Sequence, residues 1–244
     1  MVSEKYGLFQ SIVVVGVRFD PTSANRPGAR SMTNVMLRED GPERDGESER
    51  VVQILTEAAR IFARKGYEGA SMRDIAEACG ISKSLLYHHF NSKEEIYSRV
   101  AVGATKELFL FVVEQIPPEA APSAKIRAFM VLTAEYFRRH RWAWIASTTA
   151  FWNDPERRSR KERMTRRDRY EKYLRELIQE AIDAGEIRDI DVAMAGRLIL
   201  SSLNWMHRWY NPTKPMKPEQ IADQFFDMVF NGLRVDAAPD RTRS

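Results

Sequence analysis

Ser82, Lys83, Ser84, Tyr87 and His88 fall within seven consecutive residues and bring together two hydroxyls, an ammonium, a phenol and an imidazole. These groups suit reversible recognition: hydroxyl, phenol and imidazole donors reach base edges and phosphate oxygens alike, and a lysine meets phosphate as a point charge. Lys93 stands at the next helix start, where free backbone amides add to its charge for the same anion. Ser71 and Arg73, at the start of the preceding helix, complete the candidate set. Covalent chemistry has no comparable signal, because the chain lacks a GxSxG elbow, a phosphate-cradling glycine loop and an HExxH pair.

Two short helices must present these groups. Ser71 can cap a helix that runs to Ala78, with Asp74 reaching back to it as in a capping box. Cys79-Gly80 turns the chain, since a glycine takes a left-handed backbone angle that a Cβ penalises. Ser82 can cap the next helix, which continues to about Phe90, and Ile75, Ala76, Ile81 and Leu86 are spaced to close a small core between the two. Such a pair predicts a helix-turn-helix, whose second helix enters the major groove of double-stranded DNA. His89 and Phe90 read as core aromatics.

Before this unit, Ile54, Leu55, Ala58, Ile61 and Phe62 form one apolar stripe of a helix that Gly66 stops. After it, Asn91-Ser92 with Glu95 starts a helix over Lys93 to Gln115, which Pro117-Pro118 ends. Helical patterns recur at about 123–140, 142–152, 156–185, 191–210 and 217–233, separated by Asp154-Pro155, Gly185, Pro212, Pro215 and Pro218. The expected architecture is all-α, about nine helices, with residues 48–97 a DNA-binding domain, 98–234 a ligand-binding and dimerisation domain, and 1–47 and 235–244 disordered tails. Met32 and Met36 lie in the first tail, each a candidate native start; peptides mapped before Met32 would reject that reading.

The chain has 244 residues, 43% hydrophobic and 30% charged, and no apolar run approaches the roughly 20 residues that span a bilayer. Cys79 is the only cysteine, which excludes an internal disulfide and a cysteine-rich zinc site and points to the reducing cytoplasm. Nothing calls for a cofactor or a metal. His207 has no second His, Cys or carboxylate at i+3 or i+4 and reads as a hydrogen-bonded structural residue. A net charge of +4 permits nucleic-acid binding without selecting it, and residues 51–100 carry seven Lys/Arg against six Asp/Glu, so charge must be placed asymmetrically to hold phosphates.

From about 50 to 97 the chain resembles the DNA-binding domain of the TetR family. The resemblance is carried by Gly66, Ser71, Ile75-Ala76, Cys79-Gly80-Ile81-Ser82, Leu86-Tyr87-His88-His89-Phe90 and Lys93-Glu94. Cys79 replaces the family's small alanine, a change of packing more than of binding. The resemblance implies a homodimeric transcription repressor on a near-palindromic operator, released by a small-molecule effector held in the C-terminal half.

That half carries a heavy aromatic load, including Phe129, Tyr136, Trp142, Trp205 and Tyr210, most of which helical spacing assigns to core. Pocket candidates are Trp144, Thr148, Phe151, Trp152, Asn204 and Arg208. Ten of the nineteen residues 157–175 are Lys or Arg. Glu162 with Arg166, Asp168 with Lys172 and Glu171 with Arg175 can pair at i, i+4, worth about 0.3 kcal/mol each, and the remaining guanidinium forks, Arg163 and Arg167 among them, suit phosphates. The stretch Leu203 to Pro212 followed by Lys217 to Phe225 resembles a TetR subgroup that answers to acyl-coenzyme A thioesters in fatty-acid or steroid breakdown. Two apolar stripes, Val192, Ala195, Leu198, Ile199, Leu203 and Met206, then Ile221, Phe225, Met228 and Val229, are the expected dimer faces. Two other readings stay open: a helical enzyme using the aromatic cavity, and a DNA-binding architectural protein without effector.

Overall fold

The computed structural model describes residues 49–150 and 157–233, and for residues 149–150, 157–164, 166 and 233 the backbone alone. Nine α-helices account for the described residues: α1 Glu49–Gly69, α2 Met72–Ala78, α3 Lys83–His89, α4 Lys93–Val113, α5 Pro122–Arg139, α6 Arg141–Ala150, α7 Arg157–Asp183, α8 Val192–Trp209 and α9 Pro218–Leu233. No strand occurs among them, as the missing period-two alternation requires. The two expected tails lie outside the described residues.

Local chemistry sets most of the helix ends. Ser71, Ser82, Ser92 and Asp191 each accept backbone N–H groups at the starts of α2, α3, α4 and α8. Pro122 opens α5 at its first turn, where a missing N–H costs nothing. Gly66, at φ 70°, interrupts the helical path of α1, and the chain then completes a short turn to Gly69.

Packing groups the helices in two sets. Ile54, Ala58 and Phe62 of α1, Ile75 and Ala76 of α2, Leu86 of α3 with Phe90 beyond its end, and Ile96 and Tyr97 of α4 form one core, each no more than 4% exposed. Ala146 of α6 reaches into the same core, with Trp142 and Ala143 partly buried against it. A second core joins α4, α5, α7, α8 and α9. There Phe129 stacks on Tyr170 at 4.7 Å, and the Thr133 and Tyr170 hydroxyls share a short hydrogen bond in a fully buried setting. Outer ion pairs fasten the helices: Arg127 to Asp223 at 2.6 Å between α5 and α9, and Lys125 to Glu180 at 2.9 Å between α5 and α7.

The expected dimer stripes are corrected by burial. Ala195, Ile199, Leu203 and Met206 of α8, with Ile221 of α9, face inward and complete the chain's own core. Met228 is exposed on α9, and the apolar face left outside on α8 is Met194, Leu198, Trp205 and Trp209. It is rotated by about one residue step, or about 100°, from the inward stripe. Of the expected stripes, Leu198 and Met228 are exposed, at 59% and 70%.

Candidate nucleic-acid interface

The α2–α3 unit is fixed from within. Ser71 Oγ accepts from the Asp74 amide at 3.1 Å, and the Asp74 carboxylate accepts from the Ser71 amide at 2.9 Å, a reciprocal capping box. Lys65 of α1 donates to the same carboxylate at 2.7 Å. The Lys65 ammonium, followed by the Ser71 donors, lowers the Asp74 carboxyl to about 2. Gly80 takes φ +64°, its amide reaches the Glu77 carbonyl at 3.1 Å, and the Ile81 amide reaches back to the Ala76 carbonyl at 3.0 Å. This is the Schellman ending of α2, and it sets the angle at which α3 departs.

Leu86 and Phe90 are fully buried and clamp one side of α3 to the core. The opposite side therefore faces solvent: Ser82, Lys83, Ser84, Tyr87 and His88 are all exposed, Tyr87 at 45%. Ser82 Oγ is committed to the Leu85 amide at 3.1 Å as the cap of α3. Lys83 Nζ lies 5.7 Å from the Tyr87 ring, so ammonium and phenol share one edge of the face. Ser71 is exposed at the start of α2, and Arg73, also exposed, pairs with Glu77 at 2.7 Å.

Lys93 stands apart from the set. Its Nζ donates to the Tyr67 carbonyl at 2.9 Å and to the Ala70 carbonyl at 3.0 Å, and sits 4.2 Å from the Tyr67 ring centroid. The Tyr67 hydroxyl in turn makes a short hydrogen bond to the Glu94 carboxylate. Burial, then this bond, raises the Tyr67 phenol; the same bond lowers Glu94. Phe62 and Tyr97 pack on Tyr67 with Tyr97 at 4.8 Å and 4.7 Å from the two rings. The start of α4 is thereby locked to the turn between α1 and α2. Glu95 reaches back as expected, but to the backbone and side-chain amides of Asn91.

The pocket candidates are spread over three helices. Trp144 of α6 is 4% exposed, packs on Phe137 at 5.6 Å, and its buried indole N–H has no hydrogen-bond partner among the described residues. Thr148 spends its hydroxyl on the Trp144 and Ile145 carbonyls of its own helix. On α8, Asn204 is partly buried, its backbone carbonyl oxygen 2.6 Å from His207 Nδ1, and Arg208 is exposed with its guanidinium 5.4 Å from the Trp205 ring. Arg167 is exposed on α7. Phe151, Trp152 and the Arg163 side chain lie outside the described residues. Within the basic run, Glu171 pairs with Arg175, while Lys172 turns to Glu176 at 3.8 Å.

Sequence reasoning passed over Thr133, Tyr170 and Tyr173, which with Phe109 and Phe129 make an aromatic layer carrying hydroxyls, buried except for a partly exposed Tyr173. Burial raises the Tyr170 phenol and pushes Tyr173 up to about 12. The available signal was Thr133, a polar residue on the apolar stripe of α5. Leu85, 39% exposed on α3, was also passed over, because a leucine in a short helix reads as core. An apolar crevice opens between α5, α7, α8 and α9, lined among others by Ile126, Met130, Ile187 and Phe230. It contains none of the pocket candidates.

Comparison with known proteins agrees with this geometry. Residues 54–100 match the model of bacterial regulatory proteins, tetR family, and residues 119–233 match the tetracyclin repressor-like C-terminal domain. The crystal structure of PfmR, a TetR family transcriptional regulator from Thermus thermophilus, is 38% identical with a TM-score of 0.69, over 75% of this chain and 99% of that one. The transcriptional repressor KstR2 of Mycobacterium tuberculosis is 27% identical over 186 residues, 74% of this chain and 91% of the repressor. AibR, solved in complex with isovaleryl coenzyme A and operator DNA, is 29% identical with a TM-score of 0.66, over 75% of this chain and 98% of AibR. No described helix is long and apolar enough to cross a membrane. The exposed polar face of α3, the turn that aims it and these matches lead to one conclusion: the chain belongs to the TetR family of DNA-binding transcription regulators.

Proposed function

We propose that the protein is a cytoplasmic transcription repressor that binds a near-palindromic operator as a homodimer and leaves it when an acyl-coenzyme A thioester enters the C-terminal half. The observation that carries the DNA half of this reading is the outward side of α3: five polar residues, Ser82 to His88, stand exposed on a helix whose other side is pinned by Leu86 and Phe90. A major groove admits one α-helix, and a face already ordered loses little entropy on binding. The effector class is supported by the density of arginines in α7 and by the likeness to AibR, whose structure holds isovaleryl coenzyme A.

A second copy is supported by Met194, Leu198, Trp205, Trp209 and Met228, an exposed apolar strip that water covers poorly. Twofold pairing through α8 and α9 would set two α3 helices about one DNA turn apart, roughly 34–36 Å. Release has a structural route, because α6 carries Trp144 toward the C-terminal core while its Ala146 sits in the core beneath α1–α4, and Arg64 of α1 lies 5.2 Å from the Trp142 ring. A ligand that shifts α6 must disturb both cores. Moving the population from 99:1 to 1:99 takes about 5.5 kcal/mol of differential affinity, within reach of a large aromatic-seated, phosphate-paired ligand.

The test uses the full chain and a duplex selected by it from a random pool, with binding followed by fluorescence anisotropy. Lys83→Ala and Tyr87→Ala should each weaken binding by about tenfold or more while sedimentation reports an unchanged dimer, and a series of acyl-coenzyme A thioesters should release the wild-type protein. Unchanged binding by both variants would overturn the DNA site. Undiminished DNA binding throughout the thioester series, with no heat of binding by calorimetry, would overturn the effector class.

A further inference from the structure

One residue on the solvent side of α3 has no hydrogen bond to offer. Leu85 is 39% exposed, between Ser84 and the buried Leu86. Successive helical residues turn by about 100°, so with Leu86 and Phe90 inward, Ser84 and His88 lie near the middle of the outward face. Tyr87 and Lys83 then occupy one flank and Leu85 the other. The face is therefore chemically two-sided, with ammonium and phenol at one edge and a branched alkyl group at the opposite edge.

We infer that Leu85 reads a thymine methyl group in each operator half-site, making it a specificity-determining residue of this regulator. In the major groove the C5-methyl of thymine is the apolar feature of the base-pair edges; every other distinguishing group there is a hydrogen-bond donor or acceptor. A leucine brought against a donor or acceptor would leave that group desolvated and unpaired. Against a methyl it gains by excluding water from both surfaces. The competing account is that Leu85 serves only as a good helix former in a seven-residue helix. The two accounts differ in what they require of the DNA. This inference rests on the reading of α3 as the recognition helix and adds a base preference to it.

The experiment takes the duplex selected by the full chain and replaces each thymine of one half-site in turn by deoxyuridine, which removes the methyl and keeps the pairing. At one position the wild-type protein should bind about fourfold more weakly, the effect of one buried methyl. Leu85→Ala should bind the thymine duplex more weakly and lose less than about twofold on the same replacement, while Leu85→Met, still apolar, keeps the sensitivity. Equal losses for wild type and Leu85→Ala at every position, or no loss at any position, overturn the assignment of Leu85 and leave α3 in the groove. If no duplex is enriched from the pool, or Lys83→Ala and Tyr87→Ala bind as wild type does, the recognition helix itself is misassigned and the inference falls with it.

Discussion

Lys93 holds the carbonyls of Tyr67 and Ala70 while its ammonium rests against the Tyr67 ring, 26 residues away in sequence. This one side chain closes the gap between the start of α4 and the turn after α1, so the helix leading into the C-terminal half and the unit carrying α3 share a joint. Tyr67 and Glu94 reinforce it from the other side.

Replacing Lys93 by Met keeps the length of the side chain and removes its donors. The two carbonyls lose a charged partner, which costs about 1–3 kcal/mol. A urea titration should register the loss as a lower midpoint with an unchanged slope. The salt dependence of DNA binding then separates a joint from a phosphate ligand. Loss of a phosphate contact in both subunits lowers the slope of log K against log salt by about 2, as expected for Lys83→Ala. Lys93→Met should leave the slope as it is.

Asp74 gives the helix-turn-helix an acid limit. Its carboxyl is held at about 2 when folded, against an ordinary value of 3.8. The folded state thus binds this proton less readily than the unfolded chain, so the stabilisation is complete above about pH 4 and disappears as pH falls toward 2. Urea midpoints measured from pH 5 to pH 2 should fall more steeply for the wild type than for Asp74→Asn. Parallel curves would show that the capping box and Lys65 contribute nothing through charge.

Gly80 faces a conformational demand and no steric one. At φ +64° a side chain is strained, although an added Cβ would meet no atom within 4 Å. Gly80→Ala should therefore destabilise by about 1–2 kcal/mol in chemical denaturation. Gly69→Ala, whose Cβ would find only the Lys65 Cβ at an ordinary 3.5 Å, is the control and should change stability by less than about 0.5 kcal/mol.

The outward strip of α8 and α9 predicts how assembly fails. Trp205, 60% exposed, is the more exposed of its two tryptophans, and a carboxylate there would be buried unpaired against a partner copy paired through this strip. Trp205→Glu should weaken self-association by at least about 2 kcal/mol, roughly 30-fold in Kd, and reduce operator binding in step. Sedimentation velocity across a concentration series measures this directly. A dimer as tight as wild type would move the interface elsewhere.

The sequence by itself determined the helices and the turn that aims α3, because the causes are local. A serine within three residues of the amide it caps, a proline with no N–H to give and a glycine at a left-handed turn act through their own neighbours, whatever the rest of the chain does. The match of Ser71, Gly80 and Leu86-Tyr87 to a known pattern was legible for the same reason. The partners of Lys93 and the inward side of α8 were decided only by tertiary structure. Lys93 carries the same charge whether it meets a phosphate or two carbonyls, and the carbonyls that claim it come from a turn 23 and 26 residues earlier. Helix α8 is apolar over two adjacent sectors, Ala195, Ile199, Leu203 and Met206 beside Met194, Leu198, Trp205 and Trp209. Periodicity finds both sectors, but only the packing of α5, α7 and α9 decides which is buried and which stays outside.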